Sequence, residues 1–171
     1  MKALILSADG FEDLELFYPL YRLEEDGLEV DVASPKGQPI AGHHGYVAPS
    51  NLEYGEISPA DYELLVIPGG AASEQVRLRE EAIDIARTFH SAGKLIASIG
   101  RGAQVLISAG VLSGRSLTCS PAIRDDVRAA GAAYRDVPVV VDETLITSRG
   151  PNDMAAFMGR ITEALRASAN S

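Results

Sequence analysis

Between Lys94 and Gly110 an apolar run of strand length, Leu95 to Ser98, meets Gly100-Arg101-Gly102 and passes directly into a helical pattern from Gln104 to Ala109. That join predicts a strand, a sharp turn and a helix, and it commits the chain to an α/β architecture. In open α/β sheets, ligands sit beyond the carboxyl ends of the strands, where a helix start aims its free N–H groups and positive dipole end at what is bound. Chemistry is therefore expected around Gly100 and Arg101. A Ser or Cys at the apex of such a turn makes a nucleophile elbow. Here the apex is Gly100, which has no side chain.

The same alternation runs through the chain. Lys2 to Ser7 reads as a buried first strand, and Ala8-Asp9-Gly10 as the loop after it. Leu14, Phe17, Leu20, Tyr21 and Leu23 then recur at helical spacing over Leu14 to Asp26, with Gly27 as the stop and Pro19 as a kink or a break. Leu28 to Ala33 is the second strand, broken by Ser34-Pro35-Lys36-Gly37. Pro39 to Ile57 is a glycine-punctuated excursion with a small hairpin. Ser58 to Asp61 is a capped turn, and Glu63 to Gly70 a parallel strand ending in the pair Gly69-Gly70.

Glu74 to Val76 leads to a helix over Glu80 to Ser91, closed by Gly93. After the central join come a short strand at Ser116 to Cys119 and a helix at Ala122 to Ala130 that Pro121 starts. Strands at Val137 to Val141 and Leu145 to Ser148 and a helix from Pro151 to Ala167 complete the chain. The pattern specifies one domain over residues 1–171: a doubly wound, mostly parallel sheet with helices on both faces and one antiparallel excursion.

At 171 residues, 46% of them hydrophobic, the chain is long enough for one well-buried core. A formal charge of −9 with no basic run excludes nucleic acid and anionic membrane as partners, since both require a positive face. A small molecule or another subunit is the expected partner. The apolar start is shorter than a signal-peptide core, and no stretch is long enough to span a membrane, so a cytoplasmic location is expected. One cysteine, Cys119, excludes an internal disulfide, and three histidines without ligand spacing give no metal site. Neither metal nor cofactor is expected.

Several stretches together resemble one family over essentially the whole chain: Phe11-Glu12-Asp13, Ala33-Ser34-Pro35, His44-Gly45-Tyr46, Val66 to Gly70, Leu106 to Leu112, Ile123 to Asp126, and Ser148-Arg149 before Pro151. The chain is similar to the PfpI intracellular proteases, of the superfamily also named for DJ-1 and related to the class I glutamine amidotransferases. The resemblance implies a flavodoxin-like fold and a homodimer or higher homo-oligomer. It implies a cysteine at the elbow, a histidine after it, an acidic partner following the glycine pair and a glutamate in the first loop. By position, the glutamate is Glu12 and the acidic partner Glu74, reaching in from a neighbouring subunit. Gly100 stands where the cysteine belongs, Arg101 where the histidine belongs, and Ser120 where the family has a tyrosine before Pro121.

A thiol-dependent peptidase, glyoxalase or deglycase requires a thiolate, and glycine offers none. The elbow should be less strained and its pocket larger, with room for water or a substrate atom. Two function classes follow. One is a repurposed, cysteine-independent lyase, hydratase, isomerase or hydrolase acting on a small carbonyl or anionic molecule. In it Glu12 is the general acid or base, and Gly69, Gly70 and the Gly100 and Arg101 amides stabilise charge. The other is a non-catalytic binding or regulatory relative, or an inactivated form of a PfpI-type protease, glyoxalase or deglycase.

Arg101 either anchors an anionic substrate or pairs with Glu12 or Glu74 in a dead site. Glu12 is expected partly buried at the elbow, burial raising its pKa and Arg101 lowering it. Cys119 ends a strand near the site as a relocated nucleophile or, on the usual behaviour of lone cysteines, as an inert hydrophobe. His43 and His44 read as surface-loop residues at the pocket mouth.

Overall fold

The computed structural model describes residues 1–170. Its strands and helices are β1 (Lys2–Leu6), α1 (Asp13–Glu25), β2 (Glu29–Ser34), β3 (Ile40–Ala41), β4 (Val47–Ala48), β5 (Leu52–Glu53), β6 (Leu64–Ile67), α2 (Ala72–Val76), α3 (Glu80–Ser91), β7 (Leu95–Ile99), α4 (Ala103–Ala109), β8 (Ser116–Leu117), α5 (Arg124–Ala129), β9 (Ala133–Tyr134), β10 (Val139–Asp142), β11 (Leu145–Ser148) and α6 (Met154–Ala169). Seven strands form one sheet in the order β10-β11-β7-β6-β1-β2-β5. All neighbours are parallel except β10 and β11. The order β2-β1-β6-β7-β11 is that of the flavodoxin-like doubly wound sheet.

The central strands are apolar because both their faces are covered. Every residue of β6 and β7 is buried. Helix α1 packs on α6, while α2 and α3 pack on α4, as right-handed crossovers leaving β1 in opposite directions require. The core is continuous through Leu4, Ile5, Leu65, Ile67, Phe89 and Phe157.

Several local expectations are corrected. Helix α1 runs unbroken through Pro19, which is buried on the sheet side and leaves the Glu15 carbonyl without its usual donor four residues on. Two antiparallel elements replace the single excursion: the hairpin β3–β4, and β10 on the sheet edge, turned by Glu143 at φ 53°. The strand expected from Ser116 to Cys119 stops at Leu117 and pairs with β9 in a separate two-stranded sheet. Pro121 opens a 3-10 turn before α5 instead of α5 itself. Among the described residues no helix is long and apolar enough to cross a membrane.

Candidate active site

At the carboxyl edge of the sheet, β7 ends at Ile99 and is followed by Gly100, whose φ of +60° lies in the left-handed region that glycine enters freely. A 3-10 turn, Gly100–Gly102, then feeds α4. The side chain standing against this turn is Glu15, from the first turn of α1. A Cβ built on Gly100 would lie 2.8 Å from Glu15 Oε1 and 3.2 Å from Oε2. The carboxyl thus occupies part of the space that glycine was expected to leave open.

Glu15 is 3% exposed. Its Oε2 accepts the Gly69 N–H at 2.6 Å, and a Cβ at Gly69 would collide with the same oxygen at 2.5 Å, so a residue without a side chain is required for that contact. Burial pushes the Glu15 carboxyl up from 4.5 to about 7; the Gly69 N–H opposes this, and the nearby charge of Glu12 adds to it. Among the described residues no cation pairs with Glu15. Near neutrality the group is therefore poised between acid and base, which is the property general acid–base chemistry requires.

Glu12 stands three residues earlier, where the helix begins. It is the N-cap of α1, one oxygen accepting the Glu15 N–H at 3.0 Å and the other 3.8 Å from His44 Nε2. It shapes the field around Glu15 from a half-buried position. Asp13, also buried, accepts the His44 N–H at 2.8 Å and the Tyr46 N–H at 3.2 Å. Phe11-Glu12-Asp13 and His44-Gly45-Tyr46 are thus one structural unit, a helix start clamping the β3–β4 loop. His43 and His44 lie on that exposed loop, their rings 4.9 Å apart.

The remaining expected residues divide. Arg101 is exposed and, among the described residues, its guanidinium makes no ion pair, so the closed salt bridge to Glu12 or Glu74 is not formed within the chain. Glu74 is exposed on α2 and does not reach the elbow of its own chain. The Gly69 N–H is taken by Glu15 and is not free for an oxyanion. Gly70, at φ +78°, backs the Phe11 bridge. The Gly100 N–H lies in the β7–β11 ladder, against the Ser148 carbonyl, so the Gly70 and Arg101 amides are the backbone donors left for that role. Ser120 ties its segment to the elbow by donating its N–H to the Gly100 carbonyl at 3.1 Å, and its hydroxyl caps the following turn.

Cys119 is fully buried, donates its S–H to the Ser120 carbonyl at 3.3 Å, and has its pKa pushed up to about 12 by burial and by Asp126. It touches no open site and remains a thiol. Among the described residues no three His, Cys, Asp or Glu side chains converge as a metal site would require.

Glu15 escaped the sequence reading. Its signal is a carboxylate on the sheet-facing stripe of α1, in line with Leu16, Pro19 and Leu23.

Comparison with known proteins gives a consistent picture. The model of the DJ-1/PfpI family matches residues 1–164. Deglycase TK1284 of Thermococcus kodakarensis is 51% identical over 166 residues, covering 97% of this chain and all of that one. Deglycase PfpI of Pyrococcus furiosus is 47% identical, with the same coverage. A crystal structure from Anabaena variabilis, of a two-domain protein with dj-1/thij/pfpi-like and ferritin-like domains, superposes with a TM-score of 0.94 at 34% identity, covering 96% of this chain and 48% of that one.

Proposed function

The chain belongs to the DJ-1/PfpI family, and from that premise we propose that it is an enzyme working without a thiol on a small carbonyl or anionic molecule, with the Glu15 carboxyl as general acid and base. One observation carries this reading: a carboxyl 3% exposed, raised to about 7, standing against a side-chain-free elbow. Protonated, Glu15 gives its proton to a carbonyl oxygen; ionised, it takes one back from water or from carbon. The Gly70 and Arg101 amides face the charge that develops, and the Arg101 guanidinium, without an ionic partner among the described residues, holds an anionic group at the mouth. This suits hydration, isomerisation, elimination or hydrolysis.

Deglycase is a name its relatives carry, and glycated amines and 2-oxoaldehydes are the first substrates to try. The deciding experiment compares wild type, Glu15→Gln and Cys119→Ser on that panel. Glu15→Gln is expected to lower turnover by roughly 10²–10⁴, and Cys119→Ser to leave it unchanged. Wild-type turnover by Glu15→Gln would refute the assignment.

The same reading includes a homodimer. Leu14, Tyr18 and Tyr21 of α1 and Tyr46 of the hairpin loop are exposed apolar side chains around a depression of about 360 Å³ beside Asp13. Among the described residues Arg101 and Glu74 have no ionic partner, and a second copy would supply one. A light-scattering mass of one chain at micromolar concentration removes this element.

A further inference from the structure

The outer edge of β2 is open from Glu29 to Val32, because β5 pairs only with Ala33 and Ser34. Along β2, the Glu29 N–H bonds to the Met1 carbonyl and the Ala33 carbonyl accepts from Ser7. The alternation of a parallel ladder then turns Glu29, Asp31 and Ala33 toward β1, and Val30 and Val32 outward. The Val30 N–H and C=O and the Val32 N–H end in no ladder. They lie along a groove of about 440 Å³ walled by Leu20, Tyr21 and Glu24 of α1 and by Pro39, Pro49 and Asn51 of the excursion.

We propose that this edge takes an extended peptide segment of another protein, added as a short further strand, with apolar side chains in the groove and a basic side chain against Glu24. Unpaired peptide groups beside apolar walls are best satisfied by another backbone. Pro39 and Pro49 have no N–H to offer, so the flanking loop does not complete the edge itself. Charge selects the occupant. The Asp31 carboxylate is already taken by Lys2 and by the Tyr62 hydroxyl, so Glu24 is the uncompensated charge along the groove, and no cation lines it. Among the described residues Glu24 has no ionic partner.

The test titrates the full-length, isotopically labelled protein with two blocked peptides, Lys-Val-Lys-Val-Lys and Glu-Val-Glu-Val-Glu, while amide exchange is followed by NMR. The lysine peptide is expected to slow exchange at Val30 and Val32 about tenfold near saturation, and the glutamate peptide to leave it unchanged. Val32→Pro removes an outward N–H without removing a bond to β1, and weakens lysine-peptide binding. If circular dichroism shows that variant unfolded, Glu24→Lys decides alone, by weakening the lysine peptide roughly threefold and admitting the glutamate peptide. Unchanged exchange at Val30 and Val32 in millimolar lysine peptide, or equal binding of both peptides, overturns the proposal. So does protection that rises with protein concentration in the absence of peptide, which would give the edge to a second copy.

Discussion

The two ends of the parallel sheet handle charge in opposite ways. Where the strands begin, the Lys2 ammonium lies 2.9 Å from Asp31 and 3.0 Å from Glu29, and the Tyr62 hydroxyl donates to Asp31 at 2.7 Å. The Lys94 ammonium there donates to the carbonyls of Pro59, Ala60 and Tyr62. Each of these cations has acceptors, and the cluster staples loops to the sheet. Where the strands end, Glu15 is enclosed with one N–H and an acidic neighbour. A compensated cluster is ordinary structure, whereas a buried carboxyl held near neutrality without a counter-charge is the kind of group acid–base chemistry employs.

The sharpest break between the two ends is kinetic. Glu15→Gln should cost roughly 10²–10⁴ in turnover, and Lys2→Met at the opposite end should leave turnover untouched. Equal losses would mean that both ends are merely structural.

The next effect is on stability. The Glu15 carboxyl moves from 4.5 unfolded to about 7 folded, so the folded state binds the extra proton between those values. Its favourable contribution is complete below about pH 4.5 and is lost as pH rises through 7, amounting to about 3 kcal/mol. Urea unfolding at pH 5 and pH 8 should show that loss in wild type, and Glu15→Gln should flatten it.

Smaller again, Gly100→Ala should destabilise by about 1–3 kcal/mol, from its positive φ and the pressure of the new Cβ on Glu15, read in the same urea curves. Glu12→Gln keeps a capping oxygen and removes a like charge, so the Glu15 titration, followed by carboxyl NMR, should move to lower pH. Lys2→Met should lower the melting temperature slightly, and the difference should shrink in high salt, as exposed ion pairs do.

Much of the fold was legible because β1, β6, β7 and β11 are apolar runs bounded by turn residues, and the strand-turn-helix join at Gly100 marks the ligand edge of such a sheet. The elements missed, β5 and β9, are two residues long and too short to carry a period. That the sequence points to Glu12 and passes over Glu15 has a rotational cause. Of the stripe Leu14, Phe17, Leu20, Tyr21 and Leu23, Leu20 and Leu23 do face inward, but Leu14 and Tyr21 are each 57% exposed, so its centre lies off the buried face. The true stripe, Leu16, Pro19, Leu20 and Leu23, carries Glu15 inward and leaves Glu12 at the cap. Both are acidic residues at a helix start, equally favoured by the dipole, so only the rotation of the helix tells them apart.

The interior position of Cys119 has a consequence for the surroundings this protein tolerates. With its single sulfhydryl protonated and shut in the core, it presents no thiolate for peroxide, electrophiles or disulfide exchange to attack. Peptide mass mapping after exposure to hydrogen peroxide should therefore show Cys119 unmodified.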